Sequence, residues 1–270
     1  MKRSPDAAPL PDDVSAPLRG AQAVARAALI LREISSRGRF GWRASDLAIR
    51  CGLDRGTTHR ILSALVRERL VHQRASDRHY LPGPLIFEMS QAMPAYAEFQ
   101  GACGPSLRRL SRQFKGLALV HLHSQDDTVC IGRSGESVYV GTAMEVGTRW
   151  PLIASAGGVA ILIALPPRER ERVQRNNFAR LAARTPEAVS AIKAMIARSQ
   201  ALGMAFNRGE TAAGVHACAL PLGRREQQVL GSLAIAFRAA EVPEARMEEV
   251  AAALREEVQV LDAAAAKLLD

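Results

Sequence analysis

The sequence predicts an α+β chain with two domains, a small helical one at the N-terminus and a larger one that mixes strands with helices. At 270 residues the chain is longer than one average domain. Apolar residues recur at helical spacing from residue 22 to residue 69, whereas short β-rich runs separated by polar turns begin after Cys103. Charge divides the chain in a similar way, because residues 20–83 hold 12 arginines, no lysine and five acidic residues. That part carries +7 of the net charge of +9, and a polyanion is its expected partner.

Composition excludes several classes of protein. Apolar residues make up 48% of the chain, which is enough for a sizeable core and excludes disorder over most of its length. The four cysteines are widely separated, so no zinc or redox motif is predicted, and we expect free thiols in a reducing cytoplasm. The N-terminus lacks the apolar core of a signal peptide, and no apolar run is long enough to span a bilayer. We therefore expect a cytoplasmic protein without a membrane partner.

The first domain, residues 19–83, follows a proline-rich tail at residues 1–18 that we expect to be flexible. An alanine-rich helix should begin at Gln22 and end near Gly38. A second, short helix is predicted from about Ser45 to Cys51, and Gly52 supplies the tight turn after it. Two helices and a turn therefore lead into the next stretch.

Residues 52–65 form the stretch around which this domain is organised. Ile61, Leu62 and Leu65 fall at helical spacing and should pack inward, while the first two turns are crowded with hydrogen-bond donors. Asp54 is placed to accept hydrogen bonds from the free amides at the start of this helix. This pattern is typical of a helix that inserts its N-terminal end into the major groove of DNA.

Two short strands, residues 70–74 and 78–81, are predicted to form a hairpin after this helix. Arg74 and Arg78 on this wing are placed to meet phosphate, which completes a winged helix-turn-helix for double-stranded operator DNA. A bundle for protein contact and a winged helix for RNA are the alternatives, and His59 equally suits packing inside the domain. The residues predicted to contact DNA are Ser45, Arg55, Gly56, Thr57, Thr58, His59, Arg60, Arg74 and Arg78.

Residues 84–101 are predicted to be a linker helix. Apolar residues recur from Leu85 to Phe99, despite the break expected at Pro94. An apolar stripe exposed on a linker indicates a second copy of the chain as partner, so a homodimer is expected. Two copies place their recognition helices on half-sites about 34 Å apart, or a multiple of that distance.

The second domain, residues 102–270, alternates strand-like and helical runs. The run at residues 154–165 is small and apolar throughout, which predicts a buried helix. Strands are expected at residues 117–122, 129–133, 138–143, 203–207, 215–220 and 229–237, and helices at residues 105–114, 154–165, 168–175, 186–201 and 243–269.

Few residues of the second domain indicate catalysis or metal binding. His121 and His123 alternate on one strand face, but no third ligand lies nearby in sequence, so packing or solvent exposure is favoured. No metal or cofactor is predicted. Ser155 precedes two glycines without a recognisable general base, and a helix N-cap is the better interpretation. His216 is either a core residue or a ligand contact.

With these segments in place, residues 20–265 resemble the IclR family of bacterial transcriptional regulators. Thr57, His59 and Arg60 match the family's recognition-helix pattern. Each half of the chain matches the family's pattern independently, and the two matches have the order and the separation that the family shows. The matching runs are residues 22–28, 53–62, 146–158 and 214–222.

The resemblance implies a winged helix-turn-helix joined by a helix to a GAF-like effector domain, in which helices flank a curved antiparallel sheet. It also implies dimers, often tetramers, that bind operator DNA and respond to a small-molecule effector. Many members hold small oxo-acids with a cysteine and two serines, whereas Ala217, Ala234 and Ala236 occupy those positions here. We therefore expect pyruvate and glyoxylate to bind poorly, and an aromatic or partly apolar carboxylic acid from catabolism to be the effector.

Apolar side chains are expected to line this pocket, and backbone amides at residues 155–158, at the start of a helix, to hold the carboxylate. An alternative is an enzyme that uses Cys218 or Cys130, with the basic domain as a nucleic-acid anchor, although no acid–base partner accompanies either cysteine. The predicted effector-binding residues are Met144, Trp150, Ser155, Ala156, Gly157, Gly158, Phe206, His216, Cys218, Ala234 and Ala236.

Overall fold

A computed structural model of the chain describes residues 20–136, 144–181 and 185–269. Its first domain contains α1 (Ala21–Ser35), α2 (Ala44–Cys51), α3 (Arg55–Arg67), β1 (Val71–Gln73) and β2 (Tyr80–Pro82). The two strands pair antiparallel, and Tyr80 also bridges to Trp42 ahead of α2. Ile34, Leu47 and Leu62, one from each helix, are completely buried at the centre. The predicted winged helix-turn-helix is confirmed.

The linker is two helices rather than one. α4 (Pro84–Ser90) ends before Pro94, and α5 (Pro94–Gln113) begins at that proline. Met93 has φ −120° and ψ 61°, outside the helical region, because a proline disfavours the helical conformation in the residue before it. The predictions of a single linker helix and of a separate helix at residues 105–114 are therefore wrong. One helix spans Pro105 and carries the chain into the second domain.

An antiparallel sheet of six strands forms the centre of the second domain as described. The strands are β3 (Leu117–Ser124), β4 (Asp127–Ser134), β5 (Arg149–Pro151), β6 (Ala205–Asn207), β7 (Val215–Arg225) and β8 (Gln228–Arg238). They lie in the order β5-β4-β3-β8-β7-β6, and every neighbouring pair is antiparallel. The strand predicted at residues 138–143 lies outside the described residues.

Helices cover both faces of this sheet. On one side lie α6 (Ala156–Ala164), α7 (Pro167–Arg180) and α8 (Pro186–Leu202), and we call this side the α6 face. On the other side, the α9 face, lie α5 and α9 (Met247–Ala266). Arg109 of α5 and Glu257 of α9 are joined by two hydrogen bonds of 2.6 Å. Within the described ranges, no helix combines the length and apolar character needed to cross a membrane.

Candidate DNA-binding surface and effector pocket

The start of α3 is capped and carries exposed donors. Asp54 Oδ1 accepts a 2.8 Å hydrogen bond from the Thr57 amide, as the cap prediction requires. This hydrogen bond lowers the pKa of the Asp54 carboxyl, so the cap is negatively charged near neutral pH. Arg55, His59 and Arg60 are exposed beside it, and Arg60 Nη2 donates to Thr57 Oγ1 at 3.3 Å. The first turns of α3 therefore present a basic, hydrogen-bonding surface.

Three other residues predicted to contact DNA differ in their surroundings. Thr58 is 1% exposed, and its Oγ1 donates to the Asp54 carbonyl oxygen at 2.9 Å. The prediction for Thr58 is therefore corrected, because its side chain packs inside the domain. Gly56 and Ser45 are exposed, and Ser45 Oγ donates to Asp46 Oδ1 at 3.2 Å. Both positions are accessible to DNA.

The wing holds Arg74 in a network of hydrogen bonds. Its Nε and Nη2 donate to the Asp77 carboxylate at 2.9 and 2.6 Å, and its guanidinium also donates to the carbonyl oxygens of Arg39 and Phe40. The hydrogen bonds from Arg74 lower the pKa of Asp77. Arg74 thus joins the wing to the loop before α2, which corrects its predicted role as a phosphate contact. Arg78 is exposed on the wing.

The start of α6 has two amides available to an anion. Ser155 is the N-cap, as predicted: its Oγ accepts from the Gly158 amide at 3.1 Å and its carbonyl oxygen accepts from the Val159 amide at 2.9 Å. Helix geometry leaves the Ala156 and Gly157 amides without a partner inside the helix. Because these two N–H groups lie at the positive end of the helix dipole, they suit a carboxylate.

The sheet brings together only part of the predicted effector pocket. Ala217, Ala234 and Ala236 lie on the α6 face, in the same buried cluster as Met144. Trp150 packs against that cluster at the edge strand β5. These five residues form an apolar wall close to the start of α6.

Three other residues predicted to bind the effector lie on the α9 face. Phe206 and Cys218 belong to the core beneath α5 and α9, and Cys218 Sγ lies 3.7 Å from Met247 Sδ. The ring of His216 contacts Phe206 and Phe237 edge-on, with centroid distances of 5.7 and 6.4 Å. The predicted place of Phe206 and Cys218 in one wall with the alanines is corrected, because side chains alternate between the faces of a sheet. His216 packs on the α9 face, in agreement with its alternative as a core residue rather than an effector contact.

Sequence reasoning missed four buried polar groups on the α6 face. Among the described residues, His121 Nδ1, Thr128 Oγ1, Trp150 Nε1 and Ser232 Oγ are buried without a hydrogen-bond partner. Burial lowers the pKa of His121 to about 4, so its imidazole is neutral near neutral pH. One signal was present in the sequence. Ser232 lies two residues before Ala234 and four before Ala236, so on a strand all three side chains face the same side of the sheet.

The two histidines of β3 have different surroundings. His123 Nε2 lies 2.7 Å from the Gln125 carbonyl oxygen, whereas His121 is 2% exposed and packs against α6. In the part of the chain that the structure describes, no three His, Cys, Asp or Glu side chains converge as metal ligands would.

A cavity of about 970 Å³ lies between the two domains. Arg32, Arg37 and Trp42 line it from the first domain, and Asp127 and Trp150 line it from the second. Trp150 is therefore a lining residue of this cavity and also packs against the apolar wall of the α6 face.

Comparison with known proteins matches both domains. Residues 23–75 match the model of the IclR helix-turn-helix domain, and residues 97–263 match that of the bacterial transcriptional regulator IclR C-terminal domain. The HTH-type transcriptional regulator Rv1719 of Mycobacterium tuberculosis is 29% identical over 196 residues, covering 73% of this chain and 74% of that protein.

Solved structures share the fold. An IclR transcriptional regulator from Silicibacter aligns with a TM-score of 0.72 and 25% identity, covering 90% of this chain and 96% of its own. An IclR homolog from Microbacterium hydrocarbonoxydans, complexed with 4-hydroxybenzoate, aligns with a TM-score of 0.64 and 20% identity, covering 90% of this chain and 98% of its own.

Proposed function

Because the chain belongs to the IclR family of bacterial transcriptional regulators, we propose that it is a cytoplasmic transcription factor whose binding to operator DNA is controlled by an aromatic carboxylic acid. Residues 19–83 bind the DNA, and residues 84–101 link this domain to the second one. Residues 102–270 bind the effector and support oligomerisation. The observation that carries the proposal is the capped start of α3, which exposes basic side chains. The same chain has a second domain in which an apolar wall lies beside the start of α6.

α3 is the element that enters the major groove. Arg55, Gly56, His59 and Arg60 in its first two turns are exposed, and the Asp54 carboxylate caps the helix through the Thr57 amide. Arg78 on the wing contacts phosphate, while Arg74 holds the wing in place. The set of DNA contacts that we propose is Ser45, Arg55, Gly56, Thr57, His59, Arg60 and Arg78.

Two copies pair through α4 and the start of α5. This segment exposes large apolar side chains at helical spacing, whereas Phe99, further along α5, is 1% exposed and marks the end of the accessible stripe. Apolar surface of this extent is typical of a protein interface. A homodimer, or a tetramer built from two dimers, follows from this surface. The exposed apolar residues are Ile86, Phe87, Met89, Met93 and Tyr96.

The apolar wall of the α6 face favours an aromatic acid as effector. Ala217, Ala234 and Ala236 offer no hydroxyl or thiol group to a small oxo-acid. Met144 and Trp150 add apolar surface suited to a ring. The Microbacterium homolog, which shares the fold, is complexed with 4-hydroxybenzoate, and this supports an aromatic acid as the effector. The acid's carboxylate lies at the start of α6.

Trp150 couples effector binding in the second domain to the DNA-binding domain. Because Trp150 packs against the apolar wall and is also a lining residue of the cavity between the domains, an effector that moves this residue changes the cavity surface that faces the first domain. The effector would thereby favour one relative orientation of the two recognition helices of a dimer, and so one operator spacing.

The thiols argue against a cysteine-dependent enzyme. Cys130 and Cys218 are 1% and 0% exposed, and burial raises the pKa of these thiols to about 11 and about 12. The reactive species is the thiolate, which such pKa values keep scarce near neutral pH.

Fluorescence anisotropy with labelled DNA from the region upstream of the gene tests the proposal. The full-length protein should bind in a salt-dependent manner, and benzoate or 4-hydroxybenzoate should change the affinity while pyruvate and glyoxylate do not. Arg55→Ala with Arg60→Ala is the control that should abolish binding. Absence of binding at every salt concentration, or a response to pyruvate in place of the aromatic acids, would contradict it.

A further inference from the structure

The cavity between the two domains is large enough for a small organic molecule. Its volume is about 970 Å³. Ligand pockets in proteins usually enclose roughly 300–1,000 Å³, so this space exceeds what a single inorganic ion needs. Its walls come from α1, α2 and the loop between them in the first domain, and from β5, α7 and the loop between β3 and β4 in the second. A molecule bound there would contact both domains.

Positive charge is in excess on the lining of this cavity. Five arginines and three carboxylates line it, which leaves a net charge of +2. Each of the three carboxylates is already engaged by at least one arginine. The ion pairs are Glu33 with Arg50 at 3.1 Å, Asp126 with Arg172 at 2.9 Å, and Asp127 with both Arg149 and Arg180. The other arginines of the lining therefore compete for carboxylates that are already paired.

Arg32 and Arg37 are the lining cations without an acidic partner among the residues that the structure describes. Arg37 lies over the Trp42 ring, with its guanidinium carbon 4.6 Å from the ring centroid. Arg32 lies near Arg149 of the second domain, whose side chain is 14% exposed. Burial lowers the pKa of the Arg149 guanidinium, Asp127 raises it, and the positive charge of Arg32 lowers it again. An anion between these groups would relieve the repulsion of like charges.

Aromatic residues line the cavity from both sides. Phe40 and Trp42 belong to the first domain and Trp150 to the second, and Phe40 is 50% exposed although its side chain is large and apolar. Aromatic rings stack on other planar groups, and guanidinium groups such as that of Arg37 stack on rings as well. A planar aromatic group is therefore the apolar part of a ligand that suits this lining.

Charge and aromatic surface together identify the class of ligand. Arginine makes strong, often paired hydrogen bonds to carboxylates and phosphates, so two guanidinium groups that lack such a partner suit two negative charges. An inorganic ion would leave the aromatic surface uncovered. A neutral aromatic molecule would leave the excess charge uncompensated.

We propose that the cavity between the domains binds an aromatic dianion, such as an aryl phosphate or an aromatic dicarboxylate. Arg32 and Arg37 hold its charges, Phe40 and Trp42 contact its ring, and Arg149 faces it from the second domain. This site is separate from the effector pocket on the α6 face, and neither proposal requires the other. Because the ligand contacts both domains, its binding favours the relative position that the DNA-binding domain has in this structure.

Tryptophan fluorescence of the full-length protein gives a reporter for this site. The chain has two tryptophans, and both line the cavity. Trp150→Phe leaves only Trp42, which packs in the first domain, so its emission reports the junction and not the effector pocket. Phenyl phosphate, terephthalate or both should change this emission in a saturable manner. Tighter binding of the first would identify a phosphate ester as the ligand class, and tighter binding of the second a dicarboxylate.

Matched probes and variants test the charge and the ring separately, with affinities measured by calorimetry. Inorganic phosphate lacks the ring and benzoate lacks the second charge, so each should bind to the junction at least about tenfold more weakly than the better dianion. Arg32→Gln and Arg37→Gln should each weaken binding of that dianion about tenfold. Arg26→Gln removes an arginine of α1 that does not line the cavity, and it should bind the dianion as the wild type does.

Thermal melting separates a ligand site from a structural role of Arg32. Without ligand, Arg32→Gln should melt at or above the wild-type temperature, because it removes a positive charge that lies near Arg149. A clear fall in melting temperature would show that Arg32 supports the fold, and it would overturn the excess of charge from which the site is inferred.

Three further results would overturn the proposal. The first is an unchanged Trp42 emission with both dianions at millimolar concentration. The second is equal affinity for inorganic phosphate, which would indicate a general anion site without a role for the ring. The third is wild-type affinity in both Arg32→Gln and Arg37→Gln. The response of DNA binding to benzoate is measured separately by anisotropy, so none of these results decides the proposed function.

Discussion

Asp54 Oδ1 lies 2.8 Å from the Thr57 amide nitrogen, and this hydrogen bond fixes the start of the helix that faces DNA. Asp54→Ala should lower both the melting temperature and the affinity for DNA, because the first turn loses its cap. Asp54→Asn keeps a side-chain oxygen and should behave nearly as the wild type. Melting curves and anisotropy titrations of the two variants provide the measurement, and equal behaviour of the two would argue against the cap.

Thr57 and Thr58 should respond oppositely to substitution by alanine. Thr58→Ala removes a buried methyl and hydroxyl, so the unfolding free energy should fall by about 1–2 kcal/mol while base preference stays the same. Thr57→Ala should leave stability nearly unchanged and alter affinity for operator variants. Urea unfolding and a binding series on mutated operators make the comparison. A change of base preference in Thr58→Ala would contradict the assignment.

Arg78 and Arg74 have different roles on the wing. Arg78→Ala should weaken binding to all DNA sequences and reduce the slope of log affinity against log salt by about 1, as expected for one lost phosphate contact. Arg74→Ala should lower thermal stability, because four hydrogen bonds to Asp77 and the loop before α2 are lost. Salt titrations and melting curves of both variants are the measurement, and a normal salt slope for Arg78→Ala would exclude its phosphate contact.

His121 should make the second domain sensitive to acid. Its pKa is about 4 in the folded protein against 6.5 for the free side chain, so between these values the unfolded chain binds more protons and stability falls as pH falls. From pH 7 to pH 5 this amounts to about 2 kcal/mol. His121→Asn should lose that part of the pH dependence. Urea unfolding at both pH values compares the two proteins, and identical pH dependence would mean that His121 is not buried in its neutral form.

Substitution of Phe87 tests the dimer interface proposed on α4 and the start of α5. Its side chain is 69% exposed on α4, and Phe87→Asp should convert dimers into monomers and weaken operator binding, since two half-sites would no longer be held together. Val260→Asp on α9, at a position that is 57% exposed, is the control and should leave the oligomer intact. Sedimentation analysis gives the mass, and a dimer that survives Phe87→Asp would place the interface elsewhere.

The described elements follow the sequence pattern closely where periodicity is strong. The buried helix predicted at residues 154–165 is α6, Ala156–Ala164, because a run of small apolar residues that ends before Pro166 has few other structures to adopt. Asp54 and Ser155 were recognisable as caps, since each precedes a helical run and has a side chain that accepts hydrogen bonds.

Other features depend on contacts that no local pattern contains. Arg74 is engaged by carbonyl oxygens of Arg39 and Phe40, some 35 residues away in the chain, so its role follows only from the tertiary structure. The wrong prediction that Cys218 lines the pocket has a different cause. Cys218 follows Ala217 directly on β7, so the alternation of side chains along a strand by itself places the two residues on opposite faces. This part of the pocket was therefore predictable from the sequence.

The close approach of His121 to Gly157 makes the residue tolerated at position 157 depend on the residue at position 121. A side chain larger than hydrogen at 157 fits only when the residue at 121 is smaller than histidine, whereas a smaller residue at 121 is compatible with glycine at 157. Relatives with a larger residue at 157 should therefore have a smaller residue at 121, and a comparison of effector preference within the family has to consider the two together.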